Sequence, residues 1–120
     1  MSGDNRNEHL PLKTQWFHIL LALSEGTRHG SGIVRAVLRE TDGKLRLWPA
    51  TLYGSLDELA GHGWIAEVSD PGERPRGESE KKRFYRITRE GAQLLAAEAE
   101  RLKALATRAL TRLGAGTLTT

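Results

Sequence analysis

The chain has 120 residues, a formal net charge of +3 at pH 7 and no cysteine. This length suits one domain, and the lack of cysteine excludes disulfides, thiolate metal sites and cysteine nucleophiles. The first residues lack the basic and then apolar pattern of a secretory signal, and the longest apolar run, residues 19–23, is far too short to span a membrane. We therefore expect a cytoplasmic protein that does not enter a membrane.

Apolar periodicity predicts three short helices in the first half of the chain. Residues 1–9 are polar and aperiodic, and we expect them to form a disordered lead. Pro11 suits a first helical position, and residues 12–24 then form a helix that is apolar on more than one side. Residues 29–41 and 49–60 form the next two helices, the second of which carries leucines at helical spacing. Between them, residues 44–47 suit a short strand or an extended connector.

The second half of the chain predicts a hairpin and one long helix. Residues 64–69 and 82–88 alternate like strands, and the Pro/Gly/charge-rich residues 70–80 between them form a long exposed loop. Thr88 then caps a helix over residues 89–113, followed by a flexible tail at 114–120. The fold class is therefore mainly α (α+β): a winged helix-turn-helix domain over residues 10–88, whose third helix would enter a DNA major groove, and a long C-terminal helix.

The long helix carries a heptad-like row of apolar residues that predicts dimerisation. Its members recur at alternating spacings of four and three residues: Leu95, Ala99, Leu102, Ala106, Ala109 and Leu113. The alanines allow two helices to approach closely. Three short helices with a core of their own would not cover this row, so we expect a homodimer, with Trp16 of the two-sided first helix near its interface. Intramolecular packing of the row is the alternative.

Three stretches carry a family resemblance over roughly residues 16–95. They are FHILLALSEGTRHGSGI, PATLYGSLDELAGHGWI and KKRFYRITREG, in the proper order and spacing. The chain resembles the PadR-like family of bacterial transcriptional regulators, in its short type with a single C-terminal helix. The resemblance implies a homodimer that binds a near-palindromic operator, commonly as a repressor. It also implies a small aromatic or lipophilic effector in some members, which no residue of this chain specifically supports.

The third predicted helix supplies the first set of candidate DNA contacts. With its leucines in the core, the first turns would expose Ala50, Thr51, Gly54 and Ser55, with Tyr53 at the edge. Small side chains let the helix approach the groove, and hydroxyl groups can bond to phosphates or base edges. For Tyr53 we expect a packed ring with its hydroxyl on a phosphate. The alternative is that Thr51 only caps the helix and Tyr53 only packs.

The second predicted strand supplies the other candidate contacts, because residues 81–89 contain five basic and no acidic side chains. Contacts with phosphates are expected from Lys81, Lys82, Arg83 and Arg86. Arg74 and Arg76, in the loop tip, would suit insertion into a minor groove. The alternative for the tip is a solvated loop whose charge is cancelled by its acids, Asp70, Glu73, Glu78 and Glu80.

Other chemistry finds little support in the sequence. The four histidines form no recognisable ligand set with each other or with carboxylates, so we predict no metal and no cofactor. No catalytic constellation emerges, and we predict that the protein is not an enzyme. The three tryptophans are expected in the core rather than around a ligand. The alternative to a DNA-binding regulator is a winged-helix module that binds proteins, which the modest net charge and the acidic loop keep open.

Overall fold

The structure, a computed structural model, describes residues 8–68 and 82–114. Within these ranges the elements are α1 (Thr14–Leu23), β1 (Arg28–His29), α2 (Gly30–Glu40), α3 (Pro49–Gly61), β2 (Ile65–Glu67), β3 (Phe84–Ile87) and α4 (Arg89–Leu113). The predicted order of three helices, two strands and a long helix is confirmed, and with it the mainly α winged helix-turn-helix fold. The loop predicted at 70–80 and the tail after residue 114 lie outside the described residues.

Local signals set the bounds of α4 at the residues predicted. The hydroxyl of Thr88 accepts the Gly91 N–H at 3.0 Å, which caps the first turn, and also donates to the carbonyl oxygen of Gly63 at 2.6 Å. At the other end Gly114 takes a left-handed conformation with φ +67°, the usual stop for a helix. The double role of Thr88 ties the start of α4 to the segment that leaves α3.

The sheet has three antiparallel strands in the order β1-β3-β2. In β2 and β3, Ile65 pairs with Ile87 and Glu67 with Tyr85. On the other edge of β3, Arg28 pairs with Tyr85 and His29 with Phe84. The sequence did not predict β1, because two residues are too few to show an alternating pattern. Residues 44–47, for which a strand or a connector was expected, form an extended connector.

The core is built around α1, where Ile19, Leu20 and Ala22 are fully buried. Helix α4 crosses this core at close range, because a Cβ atom on Gly91 would collide with the carbonyl oxygen of Trp64. Beyond its first turns α4 extends past the core, and its residues after Arg101 are all exposed in the single chain. The winged domain and the start of α4 therefore form one packed unit, while the rest of α4 projects from it.

An aromatic cluster on the N-terminal side of the core includes Trp16 and His9. Trp16 is only 7% exposed, packs edge-on to Trp64 and donates its indole N–H to Glu58 at 3.2 Å. Residues of its own chain thus cover most of the ring, and the place of Trp16 near a dimer interface stays a prediction. His9, predicted in the disordered lead, lies with its ring centroid 4.8 Å from that of Trp64. His9 is therefore packed on the fold, while residues 1–7 of the predicted lead lie outside the described residues.

A buried carboxylate fastens the segment before α1 to α4. Glu98 is 3% exposed and accepts the backbone N–H of Leu12 at 2.9 Å. Arg101, one turn further along α4, donates two hydrogen bonds to the same carboxylate, one of them at 3.0 Å. These bonds lower the pKa of Glu98, with Arg101 as the larger cause and the Leu12 N–H as the smaller, against the opposing effect of burial. Glu98 is thus held as a charged group inside the fold.

Candidate nucleic-acid interface

Helix α3 presents a smooth exposed face at its N-terminal end. Pro49 occupies the first turn, and Leu52, Leu56 and Leu59 are buried on the core side. On the opposite side Ala50, Thr51, Tyr53 and Gly54 are exposed, and we call these four residues the recognition face. Nothing lies within 4 Å of a Cβ atom placed on Gly54, so a large surface could approach the backbone there. The predicted exposure of Ala50, Thr51 and Gly54 is confirmed.

Ser55 does not belong to this face. It is 3% exposed, although we predicted it on the outer side with Gly54. Ser55 lies three residues after Leu52 and four before Leu59, and both spacings place it on the buried side of the helix. The prediction failed because serine is polar and small, which made it look like a surface residue. The spacing from Leu52 and Leu59 can be counted in the sequence and predicts a buried position for Ser55.

The side chain of Tyr53 extends from α3 to the start of α2. It is 48% exposed, and its hydroxyl oxygen lies 2.8 Å from the place that a Cβ atom on Gly30 would take. Glycine at position 30 therefore makes room for the phenol, a requirement that we did not foresee from the sequence. The hydroxyl borders a cleft of about 230 Å³ formed by His29, Gly30, Ser31, Tyr53, Lys82 and Arg83. The cleft brings together the start of α2, the middle of α3 and the base of the wing, which is the hairpin that contains β2 and β3.

His29 holds two sides of this cleft in place. Its Nδ1 accepts the N–H of Gly32 at 3.3 Å, which caps α2, as expected for a histidine at a helix start. The same ring stacks on Phe84 of β3, with 5.4 Å between centroids and 14° between planes. Because one side chain caps α2 and packs on the wing strand, the position of the wing relative to α2 is defined.

The described part of the wing carries three basic residues, Lys82, Arg83 and Arg86. Arg83 donates to Glu67 on the neighbouring strand at 2.8 Å, and this hydrogen bond is the main reason that the pKa of Arg83 is raised. Lys82 and Arg86 are exposed. The remaining predicted wing contacts, Arg74, Arg76 and Lys81, lie outside the described residues. The base of the wing therefore brings Lys82 and Arg83 to the cleft beside Tyr53 of α3, while Arg86 is exposed further along β3.

The acidic residues of α3 face different ways. Glu58 accepts hydrogen bonds from Trp16 and, at 3.3 Å, from the ammonium group of Lys13, so its carboxylate is directed to α1. Asp57 is exposed one turn after Tyr53, and its charge contributes slightly to the pKa of Arg83. Residues 49–54 carry no charge, so the first turns of α3 are neutral and the acids follow in the third.

The sequence model of the transcriptional regulator PadR-like family matches residues 19–97. This match covers more than half of the chain. The chain belongs to the PadR-like family. A comparison with curated proteins gave no match.

Solved structures similar to this PadR-like chain share its fold. A transcriptional regulator from Clostridium thermocellum is 24% identical, with a TM-score of 0.65 over 93% of this chain and 96% of that one. RosR of H. salinarum is 18% identical, with a TM-score of 0.63 over 93% and 99% of the two chains. PadR of Bacillus subtilis, solved with operator DNA, is 22% identical with a TM-score of 0.58, and the match covers 71% of this chain and 46% of that protein.

The C-terminal helix of this PadR-like chain exposes a wide apolar strip. The predicted row begins with Leu95, which packs partly on the core, and then continues through residues that are all exposed: Ala99, Leu102, Ala106, Ala109 and Leu113. The sequence prediction missed Leu105 and Leu110, which are also exposed and flank the row on its two sides. The body of the protein contacts the first half of α4, where Gly91, Leu94 and Glu98 are buried, and the helix after Arg101 extends past that contact. The strip is therefore left uncovered by its own chain.

Among the helices that the structure describes, none has the length and apolar character needed to cross a membrane. Within residues 8–68 and 82–114, no three His, Asp or Glu side chains come together in the way that a metal ion requires.

Proposed function

We propose that the chain is a homodimeric transcriptional regulator that binds double-stranded DNA through α3 and the wing. The recognition face carries this proposal: Ala50, Thr51 and Gly54 leave the backbone of α3 open, and the helix begins with uncharged residues next to a basic wing. A helix of this kind can enter a major groove with its N-terminal end, where small side chains and hydroxyls reach base edges. The N–H groups of its first turn favour a nearby phosphate.

The wing would add contacts with the phosphate backbone. Lys82 and Arg83 border the cleft beside Tyr53 of α3, and Arg86 is exposed further along β3. Each phosphate that such a residue neutralises releases counterions and strengthens binding at low salt. Arg83 would exchange or share its bond to Glu67 when it meets a phosphate. The tip arginines, Arg74 and Arg76, and Lys81 are proposed to continue this contact along the duplex. Tyr53 would place its hydroxyl on a phosphate at the edge of the recognition face.

Dimerisation is proposed to occur through α4. Exposed leucines and alanines run along the helix from Ala99 to Leu113, and a monomer that left them in water would expose an unusually large apolar surface. Pairing with a second α4 would cover the strip in the manner of a coiled coil, with the alanines at the points of closest approach. Because two recognition helices related by a two-fold axis bind two related half-sites, the operator is expected to be near-palindromic.

Repression in the cytoplasm, at the nucleoid, is the mode of action that the family resemblance favours. A dimer seated on a promoter would exclude the transcription machinery. A small aromatic or lipophilic effector stays a prediction from the resemblance. Helix α4 has no aromatic residue that could stack on such a molecule, so an effector would have to use other parts of the chain.

A salt titration on a random duplex tests the central proposal. Fluorescence anisotropy of a labelled duplex would give the affinity of the full chain at several salt concentrations. We expect log K to fall linearly with log salt, with a slope close to the number of phosphates contacted. Selection of bound fragments from genomic DNA should then yield sites with two-fold symmetry.

Absence of binding even at low salt would refute the DNA proposal and favour the alternative, a winged-helix module that binds proteins. Binding without any symmetric site among the selected fragments would leave the DNA contact standing and refute the operator. The two outcomes separate the contact itself from its sequence specificity.

A further inference from the structure

Trp48 is an exposed tryptophan directly in front of α3. Its side chain is 62% exposed, whereas those of Trp16 and Trp64 are each 7% exposed. Trp48 occupies the N-cap position of α3, yet its side chain makes no capping hydrogen bond. We expected all three tryptophans in the core, and Trp48 is the exception. The fold therefore holds a large, mostly exposed aromatic ring next to the recognition face.

The connector between α2 and α3 explains why this ring points outward. Its side chains alternate, as in any extended segment: Leu45 and Leu47 pack against the core, while Arg46 and Trp48 are exposed. The alternation places Arg46 on the same side as Trp48. Its guanidinium carbon lies 4.6 Å from the centroid of the indole, within the range of a cation–π contact. The two side chains thus form one unit, a positive group stacked on an aromatic plane.

This pair borders a groove of about 340 Å³ between α2 and the connector. The described residues that line it are Ser31, Val34, Arg35, Leu38, Arg46, Leu47, Trp48 and Pro49. They include two guanidinium groups and no carboxylate, so the groove suits a ligand that is both negative and partly apolar. Pro49 and Ala50 connect it directly to the recognition face, so a duplex held on α3 would also pass over this groove.

We propose that Trp48 and Arg46 bind the sugar–phosphate backbone of the DNA strand that borders the occupied major groove. The indole would pack on a deoxyribose, and the guanidinium of Arg46, with that of Arg35, would hold the adjoining phosphates. This inference rests on the proposed function, because it assumes that α3 enters DNA. Trp48 precedes the helix and lies at the margin of the recognition face, so its contact is with the backbone and carries no base preference.

The unequal exposure of the three tryptophans provides a direct assay. Acrylamide is uncharged and quenches exposed indoles, so most of the quenching in the wild-type chain should come from Trp48. We expect added duplex to abolish most of this quenching. In Trp48→Phe the remaining tryptophans are buried, so quenching should be weak and should not change when DNA is added.

Affinity measurements test the same contact. Trp48→Ala should weaken binding by about five- to tenfold for random and selected duplexes alike, since loss of an aromatic platform costs about that much. Trp48→Phe keeps an aromatic ring and should stay within about twofold of the wild type. Arg46→Ala should lower the slope of log K against log salt by about 1.8 for the dimer, about 0.9 for each protomer. Arg108→Ala, an exposed arginine on the projecting part of α4, is the control for loss of one charge.

The outcomes separate this inference from the function on which it rests. If the wild-type chain binds no duplex at low salt, the proposed function fails and the inference fails with it. If the wild type binds while DNA leaves the quenching of Trp48 unchanged, the inference alone is overturned. If Trp48→Ala alters only the preference between sequences, Trp48 reads bases and the backbone assignment is wrong. Thermal unfolding of each variant, followed by circular dichroism, checks that the exposed substitutions leave the fold intact.

Discussion

Replacing Glu98 with glutamine should loosen the attachment of the N-terminal segment to α4. The glutamine has the same size, and its amide oxygen can still accept the Leu12 N–H. It loses the charge, and its NH2 group takes the place of the carboxylate oxygen that accepts the bond from Arg101 Nε, so that bond is lost. Hydrogen bonds to a charged group contribute about 1.5–3 kcal/mol, and neutral ones about 0.5–1.5 kcal/mol.

The contribution of the Arg101–Glu98 interaction must be reduced from these values, because Arg101 is not buried with Glu98. Its side chain is 33% exposed, so solvent screens part of its interaction with Glu98. The substitution weakens the buried hydrogen bond from the Leu12 N–H and removes the partly screened ion pair with Arg101. We expect these two effects together to lower the free energy of unfolding by about 1–2 kcal/mol. Urea unfolding of the full chain at neutral pH, at one fixed protein concentration, would measure it.

The pH dependence gives the experiment a second, independent outcome. The pKa of Glu98 is lower in the folded chain than its ordinary value of 4.5, chiefly because of Arg101. A carboxyl whose pKa is lowered by folding contributes stability above its unfolded pKa and loses it as the pH falls through the folded pKa. The difference between wild type and Glu98→Gln should therefore be full at neutral pH and shrink below about pH 4.5.

Glu100→Gln is the matched control, since Glu100 lies two residues further on the same helix and is exposed. It should change stability little at either pH. Equal stability of wild type and Glu98→Gln at neutral pH would refute the role of the buried carboxylate. A difference of the same size at neutral and acidic pH would show that the ionised form is not what stabilises the fold.

Three further predictions concern the proposed interfaces. Gly54→Ala should raise the free energy of unfolding by about 0.5–1 kcal/mol, because the site is helical and open. The same change should weaken DNA binding, because the added methyl group faces the duplex. Unchanged affinity would contradict a close approach of the duplex. Leu102→Glu should be monomeric by sedimentation and should bind DNA weakly by fluorescence anisotropy. Thr107→Glu, on another side of α4, should stay dimeric. A dimeric Leu102→Glu variant would refute the interface. Replacing both Lys82 and Arg83 with Ala should lower the salt slope by about two for each protomer, or about 3.6 for the dimer, and weaken all duplexes similarly. A change in sequence preference alone would identify base contacts.

Much of the candidate site could be predicted because its signals are local. Leu52, Leu56 and Leu59 identify the buried side of α3 by spacing, and the exposure of Ala50, Thr51 and Gly54 follows from it. The misplaced Ser55 shows the limit of residue type as a guide, since a small hydroxyl is compatible with either side. Gly30 shows another limit: the need for glycine there comes from Tyr53, a residue distant in the sequence, which packs over it.

The amino-acid sequence by itself determined the helices and their order. Thr88 and Gly114 set the ends of α4, and the leucine spacing set α3, because caps and periodicity act within a few residues. Only the tertiary structure decided that Trp16 is buried and Trp48 exposed, and that the short strand β1 joins the sheet. These outcomes depend on which parts of the chain, distant in sequence, come into contact. Residue type is the same for all three tryptophans and does not show which of them is buried. The position of Trp48, the strongest new feature of the chain, therefore became visible only in the folded molecule.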